Sequence, residues 1–102
     1  MPIPETPLDR ILHAIADPAR RRILAVLKEH GSAHKSLPGK SMGLCAGDIE
    51  ERIGLSQPTI SHHMGILTKV GLVEAVKRGQ WRWYRRNHTA MRQLVKMLRT
   101  KL

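Results

Sequence analysis

The most constraining feature of the sequence is the stretch Asp48–Val73, DIEERIGLSQPTISHHMGILTKVGLV. Its apolar residues fall at helical spacing on both sides of a short break at Gly54, with Ile49 and Ile53 before it and Ile60, Met64 and Leu67 after it. Glycine favours the left-handed conformation that ends a helix, and Ser56 is a good N-cap for the next one. We therefore predict two helices, at about 46–53 and 57–70, joined by a tight turn. This is the pattern of a helix-turn-helix.

Small polar side chains lie on the outer face near the beginning of the second predicted helix. They are Gln57, Thr59, Ser61 and His62. Short hydroxyls and amides let a helix approach a DNA groove closely, and glutamine pairs with the adenine edge in the major groove. We predict that these four residues contact DNA, although a surface helix facing only solvent would show the same polar positions. His63 lies beside the apolar face and is predicted to pack or cap there.

The balance of charge favours an anionic partner. The chain has 102 residues, with 18 lysines and arginines against 8 acidic residues, so its formal net charge is +10. Nucleic acid and an anionic membrane both meet this requirement, but no apolar run approaches the roughly 20 residues that span a bilayer, and no signal peptide opens the chain. Cys45 is the single cysteine, which excludes an internal disulfide and fits a reducing compartment. We expect a cytoplasmic protein of one domain that binds nucleic acid rather than membrane.

The rest of the chain predicts further helices and a hairpin around this motif. Three prolines in residues 1–7 indicate a flexible arm, after which a single domain covers residues 8–102. Periodicity and capping residues predict further helices at 8–16, from Asp17-Pro18 to about 30, and at 88–102. Turn residues predict a loop at 31–44, whose end forms a short strand at about 42–45, and two further strands at 72–76 and 81–86. The predicted fold is mainly α with a small β-hairpin, a winged helix-turn-helix of about five helices and a two- or three-stranded wing.

Two clusters of basic residues indicate binding to an anionic partner. The hairpin holds Lys77, Arg78, Arg82, Arg85 and Arg86, and the helix that follows Asp17 begins with Arg20, Arg21 and Arg22. A wing can lie along the DNA backbone or in the minor groove, so we predict contacts from Lys77, Arg78 and Arg82, with Arg78 at the tip of a turn over 77–80. Each of these cations also fits a solvated strand edge. The arginines after Asp17 oppose the helix dipole and are expected to be offset by Asp17 or by a phosphate.

Several segments together resemble the ArsR/SmtB family of bacterial repressors: DPARRRIL at 17–24, LSQPTISHHMGIL at 55–67, GLV at 71–73 and GQWRWYR at 79–85. The resemblance covers about residues 8–102. It implies a homodimer, built from the helices at 8–16 and 88–102, that binds double-stranded operator DNA and leaves it when an effector binds. A two-fold dimer would place two recognition helices one DNA turn, about 34 Å, apart. The apolar stripes of these two helices would alternatively pack within one monomer.

The sensor sites known in this family are not matched. Soft-metal sensors of the family carry a Cys-x-Cys pair at the start of the third helix, where this chain has Cys45 and then Gly47. Its zinc sensors use Asp and His pairs on the last helix, where this chain has only His88 near the beginning. We therefore expect no cofactor and leave the effector open. Three roles remain open for Cys45: a metal site with His30 and His34, redox sensing by the thiol alone, and a half-buried thiol without a role.

An enzyme is not expected, because the chain has neither a nucleophile elbow nor an HExxH motif, and PGKS at 38–41 lacks the first glycine of a phosphate loop.

The main rival function is a sequence-independent nucleic-acid binder, architectural or RNA-directed, that uses the +10 charge on a winged scaffold. A protein-docking module is a third possibility. The polar face of the second helix argues against it, since such surfaces usually carry larger apolar anchors.

Overall fold

The computed structural model describes residues 6–31 and 43–102. Within these ranges the chain forms five α-helices: α1 (Pro7–Ala16), α2 (Pro18–Val26), α3 (Ala46–Ile53), α4 (Gln57–Lys69) and α5 (His88–Lys101). Three antiparallel strands form a sheet in the order β1-β3-β2: β1 (Leu44–Cys45), β2 (Val73–Arg78) and β3 (Trp81–Arg86). The predicted extent of the second helix to about 30 is right, but its last turn, Leu27–Gly31, is π-helical. The mainly α fold with a three-stranded wing is confirmed.

The core lies where α2, α3 and α4 meet the base of the wing. Its fully buried side chains are Ile23, Leu27, Ile49, Ile60, Met64, Leu67, Leu72 and Val73. Full burial of a side chain of this size stabilises the fold by about 1.5–3 kcal/mol, so these residues fix the orientation of α4. The predicted inner faces of α3 and α4 are confirmed, and the opposite face of α4 is consequently left at the surface.

α1 begins earlier than the sequence pattern predicted. Thr6 is its N-cap: the Thr6 hydroxyl accepts a hydrogen bond from the Asp9 N–H at 3.2 Å, and the Asp9 carboxylate accepts one from the Thr6 N–H at 2.8 Å. This reciprocal pair is a capping box in which Asp replaces the more usual Glu or Gln. Thr6 and Pro7, predicted as the end of a flexible arm, therefore belong to the capped helix. Residues 1–5 lie outside the described part of the chain.

The corner between α1 and α2 explains two of the three arginines that follow it, Arg20 and Arg21. Arg20 turns back and donates from Nε to the Ala14 carbonyl at 2.6 Å, while Arg21 donates from Nη1 to the Ile15 carbonyl at 2.7 Å. Both carbonyls belong to the last turn of α1, where the helix dipole favours positive charge. Arg20 also lies 3.8 Å from the carboxylate of Asp17. The predicted partner Asp17 is thus present for Arg20, and the carbonyls at the end of α1 are further acceptors for Arg20 and Arg21.

Two helix caps hold their carboxylates in the charged form. Hydrogen bonds from the backbone and hydroxyl of Thr6 lower the pKa of Asp9 below its usual value of 3.8. Partial burial raises the pKa of Asp17, but hydrogen bonds from the backbone N–H groups of Arg20 and Ala19, together with the charge of Arg20, outweigh it. The pKa of Asp17 is therefore also lowered.

Acid is expected to destabilise the fold through these two caps. Because both pKa values are lower in the folded than in the unfolded chain, the stabilisation is present above about pH 4 and is lost as the pH falls through the folded-state values. The thermal unfolding midpoint of the double variant Asp9→Asn/Asp17→Asn, which keeps the cap acceptors, should decline less below about pH 4 than that of the wild type. An equal decline in both proteins would contradict this assignment.

The wing extends further than the sequence pattern predicted. Lys77 and Arg78 continue β2 instead of forming half of a four-residue turn, because only Gly79 and Gln80 connect the two strands. Gly79 has a φ of 59°, which suits the first central position of a type II′ turn, a two-residue connection whose twist matches that of a hairpin. As a result, Lys77 stands directly opposite Arg82.

β1 adds the third strand to the wing. Leu44 pairs with Tyr84 and Cys45 pairs with Trp83. Gly43 precedes β1 with a φ of 89°, and a Cβ at this position would overlap the Tyr84 carbonyl oxygen, so the close approach requires glycine. The short strand predicted at 42–45 is confirmed over Leu44–Cys45, and Met42 lies outside the described residues.

A single residue, Asn87, separates the wing from α5. As the N-cap of α5, its side chain accepts a hydrogen bond from the Ala90 N–H at 3.0 Å. Its own N–H donates to the Leu72 carbonyl at 2.9 Å, immediately before β2 begins. The first turn of α5 is therefore tied to the base of the wing.

Candidate nucleic-acid interface

α3 and α4 form the helix-turn-helix that the sequence predicted. Gly54 ends α3 with its N–H donating to the Glu50 carbonyl at 2.8 Å, and Ser56 occupies the N-cap position of α4. The predicted capping by Ser56 is wrong in one respect, since its side chain makes no cap hydrogen bond and its Oγ instead lies 3.0 Å from Thr59 Oγ1. Pro58 carries no N–H, so the first turn of α4 offers fewer donors to a capping side chain.

The outer face at the start of α4 is polar and open. All four residues predicted to contact DNA, Gln57, Thr59, Ser61 and His62, are exposed. Thr59 shares a hydrogen bond with Ser56, whereas the side chains of Gln57 and Ser61 have no hydrogen-bond partner within the described part of the chain. This exposure is what contact with a DNA groove requires, and the contact itself stays a prediction.

The inner face of α4 is linked to the α1–α2 corner by a buried polar contact. His63 is 8% exposed and Arg20 is 7% exposed, and Arg20 Nη1 lies 3.2 Å from His63 Nδ1. A guanidinium only donates hydrogen bonds, so His63 Nδ1 accepts and the ring carries its hydrogen on Nε2. The predicted inward packing of His63 is confirmed. Arg20 therefore connects the end of α1 directly to α4.

Gly65 is an exposed glycine within α4, one helical turn after Ser61 and on the same face as His62. Among the described residues, none outside its own helical turns lies within 4 Å of the place where its Cβ would stand, so the described packing does not require glycine here. Glycine in a helix interior nevertheless costs about 0.5–1 kcal/mol relative to alanine. A bare backbone at this position suits the close approach of a partner. Gly65 is not among the predicted DNA contacts, and its signal in the sequence is a helix-weakening glycine at a position outside the apolar stripe.

Gly65→Ala is expected to raise the free energy of unfolding by about 0.5–1 kcal/mol and at the same time to weaken DNA binding. The gain comes from helix propensity, and the loss comes from a methyl group on the face that approaches DNA. Gly47→Ala is the matched control, because Gly47 is also exposed and helical, and no described residue outside its own helical turns comes within 4 Å of the place of its Cβ. Chemical denaturation and DNA titration of both variants test this. If Gly65→Ala binds DNA as tightly as Gly47→Ala, the face is wrongly assigned.

Two cross-strand pairs involve four of the charged side chains described in the wing. Arg85 Nε donates to Glu74 Oε2 at 2.7 Å, so the charge of Arg85 is already partnered. Lys77 and Arg82 are exposed and directly opposite each other, and like charges in this arrangement destabilise a hairpin. A nearby anion would relieve this repulsion. Of the predicted wing contacts, the structure thus brings together Lys77 and Arg82. The side chain of Arg78 lies outside the part of the chain that the structure describes.

The predicted sensor residues are only partly within the described structure. Cys45 is half-buried, and its Sγ donates to Asp48 Oδ2 at 3.1 Å. His34 and the side chain of His30 lie outside the described part of the chain. Over residues 6–31 and 43–102, no three His, Cys, Asp or Glu side chains lie close enough together to hold a metal ion. The metal and redox roles of Cys45 stay predictions.

A short turn between α3 and α4, an exposed polar face on α4 and a basic β2–β3 wing beside them define a winged helix-turn-helix protein of the DNA-binding class. In addition, no helix within the described ranges is both long and apolar enough to cross a membrane.

Similarity to known proteins identifies the family. A family model described as bacterial regulatory protein, arsR family, matches residues 40–75. The arsenical resistance operon repressor of Staphylococcus aureus is 36% identical over 92 residues, which are 89% of this chain and 76% of that protein. The transcriptional repressor SdpR of Bacillus subtilis is 34% identical over 88 residues, 86% of this chain and 84% of that protein. The chain therefore belongs to the ArsR family of DNA-binding transcriptional repressors, and the resemblance seen in its sequence is confirmed.

The fold is shared with solved structures of the same kind. The homodimeric winged helix-turn-helix domain of Mb0332 from Mycobacterium bovis superimposes with a TM-score of 0.69 over 93% of this chain and 78% of that one, at 22% sequence identity. At this identity the likeness concerns the fold alone. The proteins of the ArsR family are transcriptional regulators rather than enzymes.

Proposed function

We propose that the chain is a homodimeric, sequence-specific repressor that binds an inverted-repeat operator and leaves it when an effector binds. In this proposal the outer face of α4 contacts base edges in the major groove through Gln57, Thr59, Ser61 and His62. The wing contacts phosphates through Lys77, Arg78 and Arg82. No resident metal or cofactor is part of the proposal.

The observation that carries this proposal is the contrast between the two faces of α4. Ile60, Met64 and Leu67 are each no more than 1% exposed, so the helix is held in place by its inner face. Gln57 and Ser61 on the outer face are exposed, and within the described chain their side chains make no hydrogen bonds. A rigid helix that presents free donors and acceptors supports base recognition rather than attraction to phosphates alone.

The surfaces of α1 and α5 support a dimer. Some apolar residues of these helices are covered within the monomer and others are not. Ile11 and Leu94 are buried in the monomer core. The remaining members are only partly covered: Leu8, Leu12, Ile15, Met91 and Leu98 are half-buried, and Val95 is 53% exposed. α1 and α5 pack against each other, so these side chains can form one continuous apolar surface. A two-fold partner would cover it with the same surface.

A sequence-independent nucleic-acid binder is the second candidate, and the net charge of +10 favours it. The two candidates differ in what they predict for random DNA. A non-specific binder loses affinity steeply with salt and does not distinguish sequences, whereas a specific repressor binds its operator roughly 10³–10⁷-fold more tightly than random DNA.

Selection of bound sequences from a random duplex pool by the purified, reduced protein, at near-physiological salt, tests the proposal. Enrichment of an inverted repeat with half-sites about one helical turn apart is the expected result. Sedimentation of the protein with the enriched duplex should give two chains per duplex. Absence of enrichment, with binding that vanishes as salt rises, would overturn the proposal in favour of the non-specific binder.

The double variant Lys77→Gln/Arg82→Gln is expected to weaken binding to all duplexes and to reduce the slope of log affinity against log salt by about 1–2 units, because each phosphate contact contributes roughly 0.9. Its thermal stability should be unchanged or higher, since the substitutions remove a like-charge pair. Arg85→Gln is the matched control, because the charge of Arg85 is already neutralised by Glu74. A salt slope equal to that of the control would mean that the wing does not contact phosphates.

A further inference from the structure

A groove of about 460 Å³ lies between α1 and the last turn of α4, on a part of α4 that the proposed DNA contacts do not use. This volume lies within the roughly 300–1,000 Å³ that small-molecule sites occupy. The residues that line it are Pro7, Arg10, Ile11, His13, Ile66, Lys69 and Val70. The groove thus bridges the first helix of the domain and the helix proposed to contact DNA.

The chemistry of the groove is apolar with a basic rim. Ile11 is buried and Ile66 and Val70 are half-buried, so they present an apolar floor. Arg10 and Lys69 are exposed at the two sides, and within the described chain neither forms an ion pair. Among the residues that the structure describes, those lining the groove include no acidic side chain. A small molecule with an apolar body and one carboxylate or sulfonate group complements this arrangement, because the body covers the floor while the anion reaches the two cations.

The groove is on the side of α1 that a dimer would leave open. Successive helical residues are about 100° apart, which places Arg10 and His13 roughly opposite Leu12 and Ile15. Leu12 and Ile15 belong to the half-buried stripe that we propose as the dimer surface. A partner chain on that stripe therefore does not need to cover the groove.

We propose that this groove binds a small amphipathic anion and that the ligand acts as the effector of the protein. Arg20 joins the same two helices beside the groove, because it donates to the His13 carbonyl at 3.4 Å and contacts His63 of α4 at 3.2 Å. A ligand wedged between α1 and α4 changes the distance that this contact spans and thereby the position of α4. The binding half of the proposal stands on the groove alone, and the regulatory half rests on the proposed function.

The binding half is tested with 2-naphthoate and its uncharged analogue 2-naphthol, measured by calorimetry and by methyl chemical shifts in the full chain. We expect 2-naphthoate to bind about ten-fold more tightly than 2-naphthol and to shift the methyl signals of Ile11, Ile66 and Val70. The double variant Arg10→Gln/Lys69→Gln should remove this preference. The control variant Lys96→Gln/Arg99→Gln, which removes two exposed cations of α5 outside the groove, should keep it. Equal affinity for both compounds, or shifts confined to other residues, would overturn the site.

The regulatory half is tested by titrating the enriched duplex with and without saturating 2-naphthoate. We expect the ligand to weaken DNA binding of the wild type and of Lys96→Gln/Arg99→Gln, but not of Arg10→Gln/Lys69→Gln. Ligand binding without any change in DNA affinity would overturn the effector role and leave the site intact. Absence of any enriched duplex would instead count against the proposed function, and the calorimetric result would stand independently.

Discussion

Replacing Arg20 with methionine is expected to lower the free energy of unfolding by about 2–3 kcal/mol, the largest effect that we anticipate for any single charged residue. Methionine keeps most of the aliphatic volume, so the loss concerns hydrogen bonds rather than packing. The substitution leaves the Ala14 carbonyl without its partner at 2.6 Å and the buried Nδ1 of His63 without its partner at 3.2 Å. Each unsatisfied buried group costs about 1–3 kcal/mol, and exposure of Asp17 limits the electrostatic part.

Arg21→Met is the matched control for this prediction. Arg21 makes the same kind of contact, with its Nη1 donating to the carbonyls of Ile15 at 2.7 Å and Ala16 at 2.9 Å, but it does so at the exposed surface. Water replaces these hydrogen bonds when the side chain is removed, so the expected loss is below about 1 kcal/mol. Chemical denaturation of both variants measures the two losses in the free energy of unfolding. Equal losses for Arg20→Met and Arg21→Met would show that the buried contact with α4 adds nothing to stability.

Substitution of Ser61 or His62 by alanine is expected to weaken binding to the selected operator by about 1–3 kcal/mol each, and to change binding to random duplexes little. Both side chains are exposed on the polar face of α4, and His62 has one ring contact, with His63 at a centroid distance of 5.9 Å, so shortening either side chain removes little internal packing. Their loss therefore reports on contacts with the partner. Titration of each variant with operator and with random duplex gives the specificity ratio.

Gln93→Ala provides the control for these two variants. Gln93 is an exposed polar residue of α5, on the side of that helix away from the apolar surface of Met91 and Val95. It should leave both kinds of DNA binding unchanged. If Ser61→Ala and His62→Ala weaken operator and random DNA equally, α4 contributes affinity without reading bases, and the assignment of the recognition helix is wrong.

The helices were predictable because their signals are local. The apolar residues Ile60, Met64 and Leu67 recur at helical spacing, and a glycine follows Ile53 where α3 ends. The same periodicity placed the exposed polar face of α4 correctly, since whatever lies off the buried stripe faces outward. The family was also recognisable from short segments, and the comparisons with known repressors confirmed it.

The features that the sequence did not reveal depend on contacts between distant positions or on alternative local choices. Arg20 and His63 are 43 positions apart, so no local pattern announces that the arginine satisfies the histidine. The segment Lys77–Gln80 fits a four-residue turn as well as a two-residue turn. In the structure Lys77 and Arg78 pair with β3, so the two-residue turn is formed. The capping box at Thr6 is hard to recognise in the sequence because it closes with Asp9 rather than with glutamate or glutamine.

The connection between the wing and the last helix is a single residue, Asn87, which restricts their relative orientation. With one residue as the connection, and with that residue bonded both to Ala90 and to Leu72, the hairpin cannot swing independently of α5. Rotation of α5 is therefore expected to carry the wing with it. In the proposed dimer, the angle between the two copies of α5 would set the distance between the two wing tips, and would thereby favour one spacing of the operator half-sites.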